Sequence, residues 1–138
     1  VVHVRREAGK VGLELDDTGA FFIDRMPDIA RHSIRADSAR PESISYLKRA
    51  GLPRIEGVKK GPGSVEDGVG FLKASRVVIH PECVAMAREA RLYSFKVDRL
   101  SGDVLPVILD AFNHYWDAVR YAVQPLIKVR AAPGVRAL

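Results

Sequence analysis

The most informative part of this 138-residue chain reads Ser33-Ile34-Arg35-Ala36-Asp37-Ser38-Ala39-Arg40-Pro41-Glu42-Ser43-Ile44. Residues 33–37 are predicted to form a short strand that contains Ile34 and Ala36 and ends on the acid Asp37. Pro41 has the fixed backbone angle that suits the first position of a helix, and Gly51 lies where that helix should end. A strand that leads directly into a helix is the repeating unit of an α/β domain.

The same alternation of strand-like and helix-like segments continues on both sides of this stretch. Further strands are predicted at Val1–Arg6, Arg54–Val58 and Arg76–His80, and a hairpin at Phe95–Leu109 with its turn at Ser101-Gly102-Asp103. Further helices are predicted from a cap in Asp16-Asp17-Thr18, from a cap at Ser64, from Pro81, and over Asp110–Ile127. The sequence therefore predicts one α/β domain.

Composition limits the class of protein more than it defines the function. Lys and Arg total 22 against 17 acids, giving a net charge of +5, which favours an anionic partner such as nucleic acid. The single cysteine, Cys83, excludes an internal disulfide and indicates a reducing compartment. No apolar run approaches the roughly 18 residues that a membrane helix needs. The turn Lys59-Lys60-Gly61-Pro62-Gly63 lacks the ending of a Walker A loop, so these residues form no ATPase site.

The last predicted helix has two faces of opposite character. An apolar stripe is formed by Phe112, Trp116, Val119 and Val123. A polar row at the same spacing, on the other side of the helix, is formed by Asp110, His114, Asp117 and Tyr121. This row is either an ordinary solvated face or the edge of a metal site, because carboxylate and imidazole side chains one turn apart can bind one divalent ion.

Asp37 and the lysine turn each have a structural and a functional interpretation. Asp37 either caps the helix that follows it or binds a ligand, because ligands of α/β sheets gather at the carboxyl ends of strands. Lys59 and Lys60 lie either in an exposed loop or in a turn whose glycines let phosphate approach the backbone.

Three motifs in this order resemble segments of phage terminase large subunits. The first is Ala36-Asp37-Ser38-Ala39-Arg40-Pro41-Glu42-Ser43-Ile44, and the second is Val58-Lys59-Lys60-Gly61-Pro62-Gly63-Ser64-Val65. The third is Asn113-His114-Tyr115-Trp116-Asp117-Ala118-Val119-Arg120-Tyr121, which is similar to the family signature Asn-His-x-x-Asp-Ala-x-Arg-Tyr. Together the motifs extend over most of the chain, and their order makes the resemblance specific.

The resemblance implies a ribonuclease H-like nuclease domain, with a mixed sheet flanked by helices. It implies a DNA endonuclease that cuts concatemeric viral DNA during genome packaging with two divalent ions, Mg²⁺ or Mn²⁺. Asp37, His114 and Asp117 would be the catalytic and metal-binding residues, and Lys59 and Lys60 would contact DNA. Double-stranded DNA, the portal and the small terminase subunit would be the partners, in the cytoplasm of a bacterial host cell and without a membrane.

One element of the family pattern has no match in the sequence. The first catalytic Asp of the family lies on the first strand of the sheet, and only Val1–Arg6 precedes the motif at Asp37. We therefore expect residues 1–128 to be an N-terminally truncated domain without that strand and its acid, and residues 129–138 to be a flexible tail. Weak metal binding, poor DNA cleavage and self-association of the chain through exposed strand edges would follow.

Two other interpretations of the sequence remain open. The chain could be a non-catalytic DNA-binding or assembly module, a prophage remnant that keeps the fold without a complete site. A junction resolvase of the same fold has similar acids, although the signature at Asn113–Tyr121 favours a terminase.

Overall fold

The computed structural model describes residues 1–92, 95–97, 104–108 and 113–127, with backbone alone at 92, 95–97 and 104–108. Its strands are β1 (Val2–Val4), β2 (Ile34–Ala36), β3 (Ile55–Gly57), β4 (Val77–Ile79), β5 (Phe95–Val97) and β6 (Val104–Ile108). Its helices are α1 (Leu15–Arg25), α2 (Pro41–Arg49), α3 (Ser64–Ala74), α4 (Val84–Leu92) and α5 (His114–Val123). Short 3-10 turns follow α1 at Ile29–Arg31 and α5 at Gln124–Leu126.

The strands pair both in parallel and antiparallel fashion, as the prediction of a mixed sheet requires. Within the described ranges they form three two-stranded ladders. β1 pairs with β4 and β2 pairs with β3, both in parallel, whereas β5 and β6 are antiparallel. Parallel strands need crossover connections, and the helices between the paired strands supply them. The predicted α/β fold is therefore confirmed.

Helix α5 lies at the centre of the packing, because it contacts β2, α3 and α4. The buried hydrophobic side chains among the described residues are Leu52, Ile55, Val58, Val69, Leu72, Cys83, Met86 and Val123. No helix in the described ranges is long and apolar enough to cross a membrane.

The predicted helix α2 agrees with the structure, but three predicted helix starts are wrong. The helix expected at Pro81 begins at Val84, because Cys83 N–H donates to the His80 carbonyl and keeps the intervening residues in a turn. Ser64 is the first residue of α3 rather than its cap, since Gly63 takes the cap position with a φ of 77° that favours glycine. Asp16 lies in the first turn of α1 and does not cap it.

Two carboxylates from distant parts of the chain bind the N-termini of α4 and α5. Glu7 accepts hydrogen bonds from the backbone N–H groups of Ala85 and Met86 at 2.9 and 2.8 Å. Glu89, 7% exposed, accepts from Tyr115 and Trp116 at 2.8 and 3.1 Å. A carboxylate at a helix N-terminus accepts hydrogen bonds from backbone N–H groups that have no partner within the helix. Its negative charge also interacts favourably with the partial positive charge of the helix dipole at that end. Glu89 therefore fixes the start of α5 against α4.

Several sequence predictions concern residues that the structure does not describe. These are the hairpin turn at residues 101–103, residues 110–112, and the tail at 129–138. They lie outside the described residues and stay predictions. The last helix itself is shorter than the predicted Asp110–Ile127: it begins at His114, because Asn113 has non-helical backbone angles, and it ends at Val123.

Candidate metal centre

Asp37 follows β2 directly and is held by contacts from three parts of the chain. Its Oδ1 accepts a hydrogen bond from Ala39 N–H at 2.9 Å and lies 2.6 Å from the Lys60 Nζ. Its Oδ2 lies 3.5 Å from the Tyr121 hydroxyl on α5. The hydrogen bond from Lys60, helped by that from Ala39, lowers the pKa of Asp37 below its ordinary value. The carboxylate is therefore ionised and already faces a cation.

The loop that carries Lys60 is fixed to the end of α5 by the side chain of Gln124. Its Oε1 accepts from the Lys59 N–H at 3.0 Å, and its Nε2 donates to the Lys59 carbonyl. A side-chain amide that pairs with both backbone groups of one residue imitates a strand neighbour. Gln124 therefore sets where the Lys59-Lys60 segment lies relative to Asp37.

Asp117 lies on α5 and pairs with a nearly buried arginine one turn later. Arg120 Nη2 is 3.1 Å from Asp117 Oδ1, and the two side chains are 11% and 31% exposed. The aliphatic part of Arg120 lies against Gly68 of α3, where a Cβ would come within 2.7 Å of the Arg120 Cδ. The guanidinium also lies over the Tyr121 ring, 4.8 Å from its centroid. Packing on α3 thus holds the cation beside Asp117.

Tyr121, on the same helix as Asp117, contacts Asp37 and so connects the two acids. His114, Asp117 and Tyr121 follow one side of α5, and the Tyr121 hydroxyl reaches Asp37. The Cα atoms of Asp117 and Tyr121 are about 6 Å apart along the helix axis. His114 is exposed at the first position of α5, a further turn away. Asp37, Lys60 and the side of α5 that bears His114, Asp117 and Tyr121 therefore form one edge of the molecule, with Asp37 and Lys60 in direct contact.

The donor chemistry of this edge suits a hard divalent cation. Asp37 and Asp117 supply carboxylate oxygens, and the ammonium group against Asp37 shows that positive charge is accommodated there. Mg²⁺ usually keeps several waters and needs only one or two carboxylates from the protein. No three His, Cys, Asp or Glu side chains within the described residues are close enough together to hold one ion. The residues thus fit a hydrated ion at the two acids, not a closed protein cage.

A cleft of about 530 Å³ lies next to Lys59 and Gln124. Its lining includes Arg35, Lys59, Ser64, Gln124 and Ile127, but neither Asp37 nor Asp117. The cleft is therefore adjacent to the acids and separate from them.

Comparison with known protein families identifies the family and the fold of this chain. The model of the terminase RNase H-like domain matches residues 16–125, which is most of the chain. The chain belongs to the terminase RNase H-like domain family. The match includes Asp37, the lysine loop and all of α5, so the resemblance that the three motifs indicated is confirmed.

Two known terminase proteins are similar to this chain. The terminase large subunit of Bacillus phage SPP1 is 44% identical over 94 residues, which are 66% of this chain and 22% of that protein. This chain therefore spans about a fifth of that relative. The solved nuclease domain of the SPP1 large terminase, crystallised with bound Mn, superposes with a TM-score of 0.79 at 36% identity. That similarity covers 89% of this chain and 70% of the SPP1 domain.

The sequence patterns placed Tyr121 in the polar row of α5 but did not indicate three residues that contact the candidate site or position α5. Arg120 belongs to the third motif, and its position in the signature was the available signal. Gln124 lies one turn beyond it on the same helix, but its partner at Lys59 is 65 residues away. Glu89 lies outside all three motifs. Contacts of this kind depend on tertiary packing, which local patterns do not encode.

Proposed function

We propose that this chain is the metal-dependent DNA endonuclease domain of a phage terminase large subunit. In this role it cuts concatemeric double-stranded DNA during genome packaging, in the cytoplasm of the bacterial host. The portal and the small terminase subunit would be its partners in the complete packaging machine. The observation that carries the proposal is the likeness to the Mn-bound SPP1 nuclease domain, together with Asp37 and Asp117 at one edge.

Each site residue has a role in this proposal. Asp37 and Asp117 hold the divalent ions, Mg²⁺ or Mn²⁺, with His114 as their neighbour on α5. The bound ions supply an activated water and charge stabilisation at the leaving oxygen. Lys59 and Lys60 contribute positive charge toward the DNA phosphates, and Arg120 holds the Asp117 carboxylate in place.

A plasmid-nicking assay in Mn²⁺ tests the proposal. We expect slow, Mn²⁺-dependent conversion of supercoiled plasmid, reduced at least about a hundredfold in Asp37→Asn and Asp117→Asn because each removes a charged ligand. Asp24→Asn is the matched control, since Asp24 is an exposed acid on α1 and its loss should leave nicking unchanged.

The second candidate function is a non-catalytic DNA-binding or assembly module. It is favoured by the finding that no three candidate ligands within the described residues gather around one point. Salt-sensitive DNA binding without any nicking, equal in the presence and absence of Mn²⁺, would support the module and exclude the nuclease. Nicking that persists unchanged in both Asn variants would exclude these two acids as the site.

A further inference from the structure

We propose that Lys60 is a displaceable counter-ion of the acid site. In the metal-free domain it neutralises Asp37; when a divalent ion takes that carboxylate, Lys60 moves to a DNA phosphate. The inference rests on the proposed nuclease function and concerns the order in which the metal ion and DNA engage the site. It gives Lys60 a role that Lys59 does not share.

The first step in the inference is competition for one oxygen atom. Lys60 Nζ lies 2.6 Å from Asp37 Oδ1, and the same oxygen accepts the Ala39 N–H at 2.9 Å. A Mg²⁺ or Mn²⁺ ion bonds to carboxylate oxygen at about 2.0–2.2 Å. An ion at Oδ1 and an ammonium group at its present distance would repel each other strongly. Binding of the ion there therefore requires Lys60 to leave.

The second step is that the ion pair is easy to exchange. The Lys60 and Asp37 side chains are 47% and 52% exposed, so water screens their attraction and solvates both groups when they separate. The backbone of the loop, by contrast, is fixed through the two hydrogen bonds between Gln124 and Lys59. The ammonium group can therefore swing on its flexible stem while its point of attachment stays beside the acids.

The third step is where the released ammonium would go. A lysine on a loop held next to metal-binding acids lies within reach of the phosphate that those acids would engage. Lys59 has an exposed side chain with no ion pair among the residues that the structure describes. The two neighbours thus offer a matched comparison, because only Lys60 must exchange a carboxylate for a phosphate.

Mn²⁺ affinity without DNA tests the competition directly. Free Mn²⁺ is measured by electron paramagnetic resonance during titration of wild type, Lys60→Gln, Lys59→Gln and Asp37→Asn. We expect Lys60→Gln to bind Mn²⁺ about threefold to fivefold more tightly, the size expected for loss of an exposed ion pair. Lys59→Gln should match wild type, because its side chain does not contact Asp37.

The outcomes separate this inference from the proposed function. Unchanged or weaker Mn²⁺ binding in Lys60→Gln, or equal tightening in Lys59→Gln, would overturn the competition. If Asp37→Asn binds Mn²⁺ as wild type does, the proposed metal site itself is wrong, whatever Lys60 does. A loss of binding in Asp37→Asn with no change in Lys60→Gln leaves the nuclease proposal intact and rejects only the counter-ion role.

The salt dependence of DNA binding tests the movement to phosphate. The slope of log affinity against log salt reports the number of phosphates neutralised by the protein. On addition of Mn²⁺ we expect the slope to steepen by about one in wild type and in Lys59→Gln, and to stay constant in Lys60→Gln. An equal Mn²⁺-dependent change in Lys60→Gln would overturn this part of the proposal.

Discussion

Each of the two candidate acids has a cation beside it, and the two pairs differ in burial. The Lys60 side chain beside Asp37 is 47% exposed, whereas the Arg120 side chain beside Asp117 is 11% exposed. Water screens an exposed pair, so it contributes little and exchanges readily. Breaking the less exposed pair between Asp117 and Arg120 would leave the arginine charge where water solvates it poorly. Asp37 is therefore the carboxylate that can change partners, while Asp117 is held in one orientation.

Sequence patterns could find single residues of this site but not their partners. Asp37 and Asp117 lie within motifs, and their positions after a strand and on an amphipathic helix agreed with the structure. The contact of Lys60 with Asp37 joins residues 23 positions apart, and that of Gln124 with Lys59 joins residues 65 apart. Such contacts follow from how β2, the loop before α3 and α5 come together, which no local spacing specifies.

Cys83 provides a residue-scale prediction about reactivity and pH. The side chain is 1% exposed, and burial, together with the nearby Glu7 carboxylate, raises the pKa of its thiol. The thiolate is the reactive form, so we expect labelling by a disulfide reagent at pH 8 to be at least about a hundredfold slower in the folded chain than in urea. Native labelling as fast as in urea would contradict this packing.

The same pKa direction gives the sign of a stability change. A thiol whose pKa is raised by folding favours the folded state fully below the pKa of the unfolded chain. This contribution is lost as pH rises through the folded pKa, so the free energy of unfolding should fall in alkaline solution. Cys83→Ser, followed by urea denaturation, should reduce that alkaline loss.

At the scale of elements, the junction of α3 and α5 depends on one glycine. A Cβ at Gly68 would come within 2.7 Å of the Arg120 Cδ and nearer still to its Cγ, whereas a Cβ at Gly70 would meet nothing within 4 Å. Gly68→Ala should therefore push Arg120 away from Asp117 and cost about 1–3 kcal/mol in the free energy of unfolding. Gly70→Ala, on the same helix, should raise that free energy by up to about 1 kcal/mol.

Urea denaturation of the two alanine variants makes this comparison. Both substitutions add the same methyl group to α3, so helix propensity cancels and the difference reports the contact with Arg120. Equal effects of the two substitutions would show that α5 does not pack on Gly68 as described. Mn²⁺ affinity should fall in Gly68→Ala alone, because only that change displaces the partner of Asp117.

Element boundaries show where sequence prediction failed and why. The motif residues fixed α2 at Pro41–Arg49, since proline and glycine act locally on the backbone. At the starts of α5 and α4, by contrast, backbone N–H groups donate hydrogen bonds to carboxylates that are distant in the sequence. Glu89 accepts at the start of α5, and Glu7 accepts at the start of α4. A helix end that is satisfied by a distant side chain leaves no nearby capping signal in the sequence.

For the molecule as a whole, metal binding should be coupled only weakly to folding. Within the described ranges, the candidate ligands do not converge as a group of three, so these residues form no preformed cage. A ligand that binds only the folded state stabilises it by RT ln(1 + L/Kd), where L is the free ligand concentration and Kd is the dissociation constant. A site formed by the carboxylates of Asp37 and Asp117, which are 52% and 31% exposed, should bind Mn²⁺ with a dissociation constant on the order of 1 mM.

Thermal unfolding across a Mn²⁺ titration tests this coupling. We expect the Tm to rise by no more than about 2–3 °C at 1 mM Mn²⁺ and to continue rising without saturation at 10 mM, because half occupancy contributes only about 0.4 kcal/mol. Asp37→Asn and Asp117→Asn should each remove most of that increase, and Asp24→Asn should not. A rise in Tm that already begins at micromolar Mn²⁺ would contradict a two-carboxylate site, since affinity of that order requires further ligands around the ion.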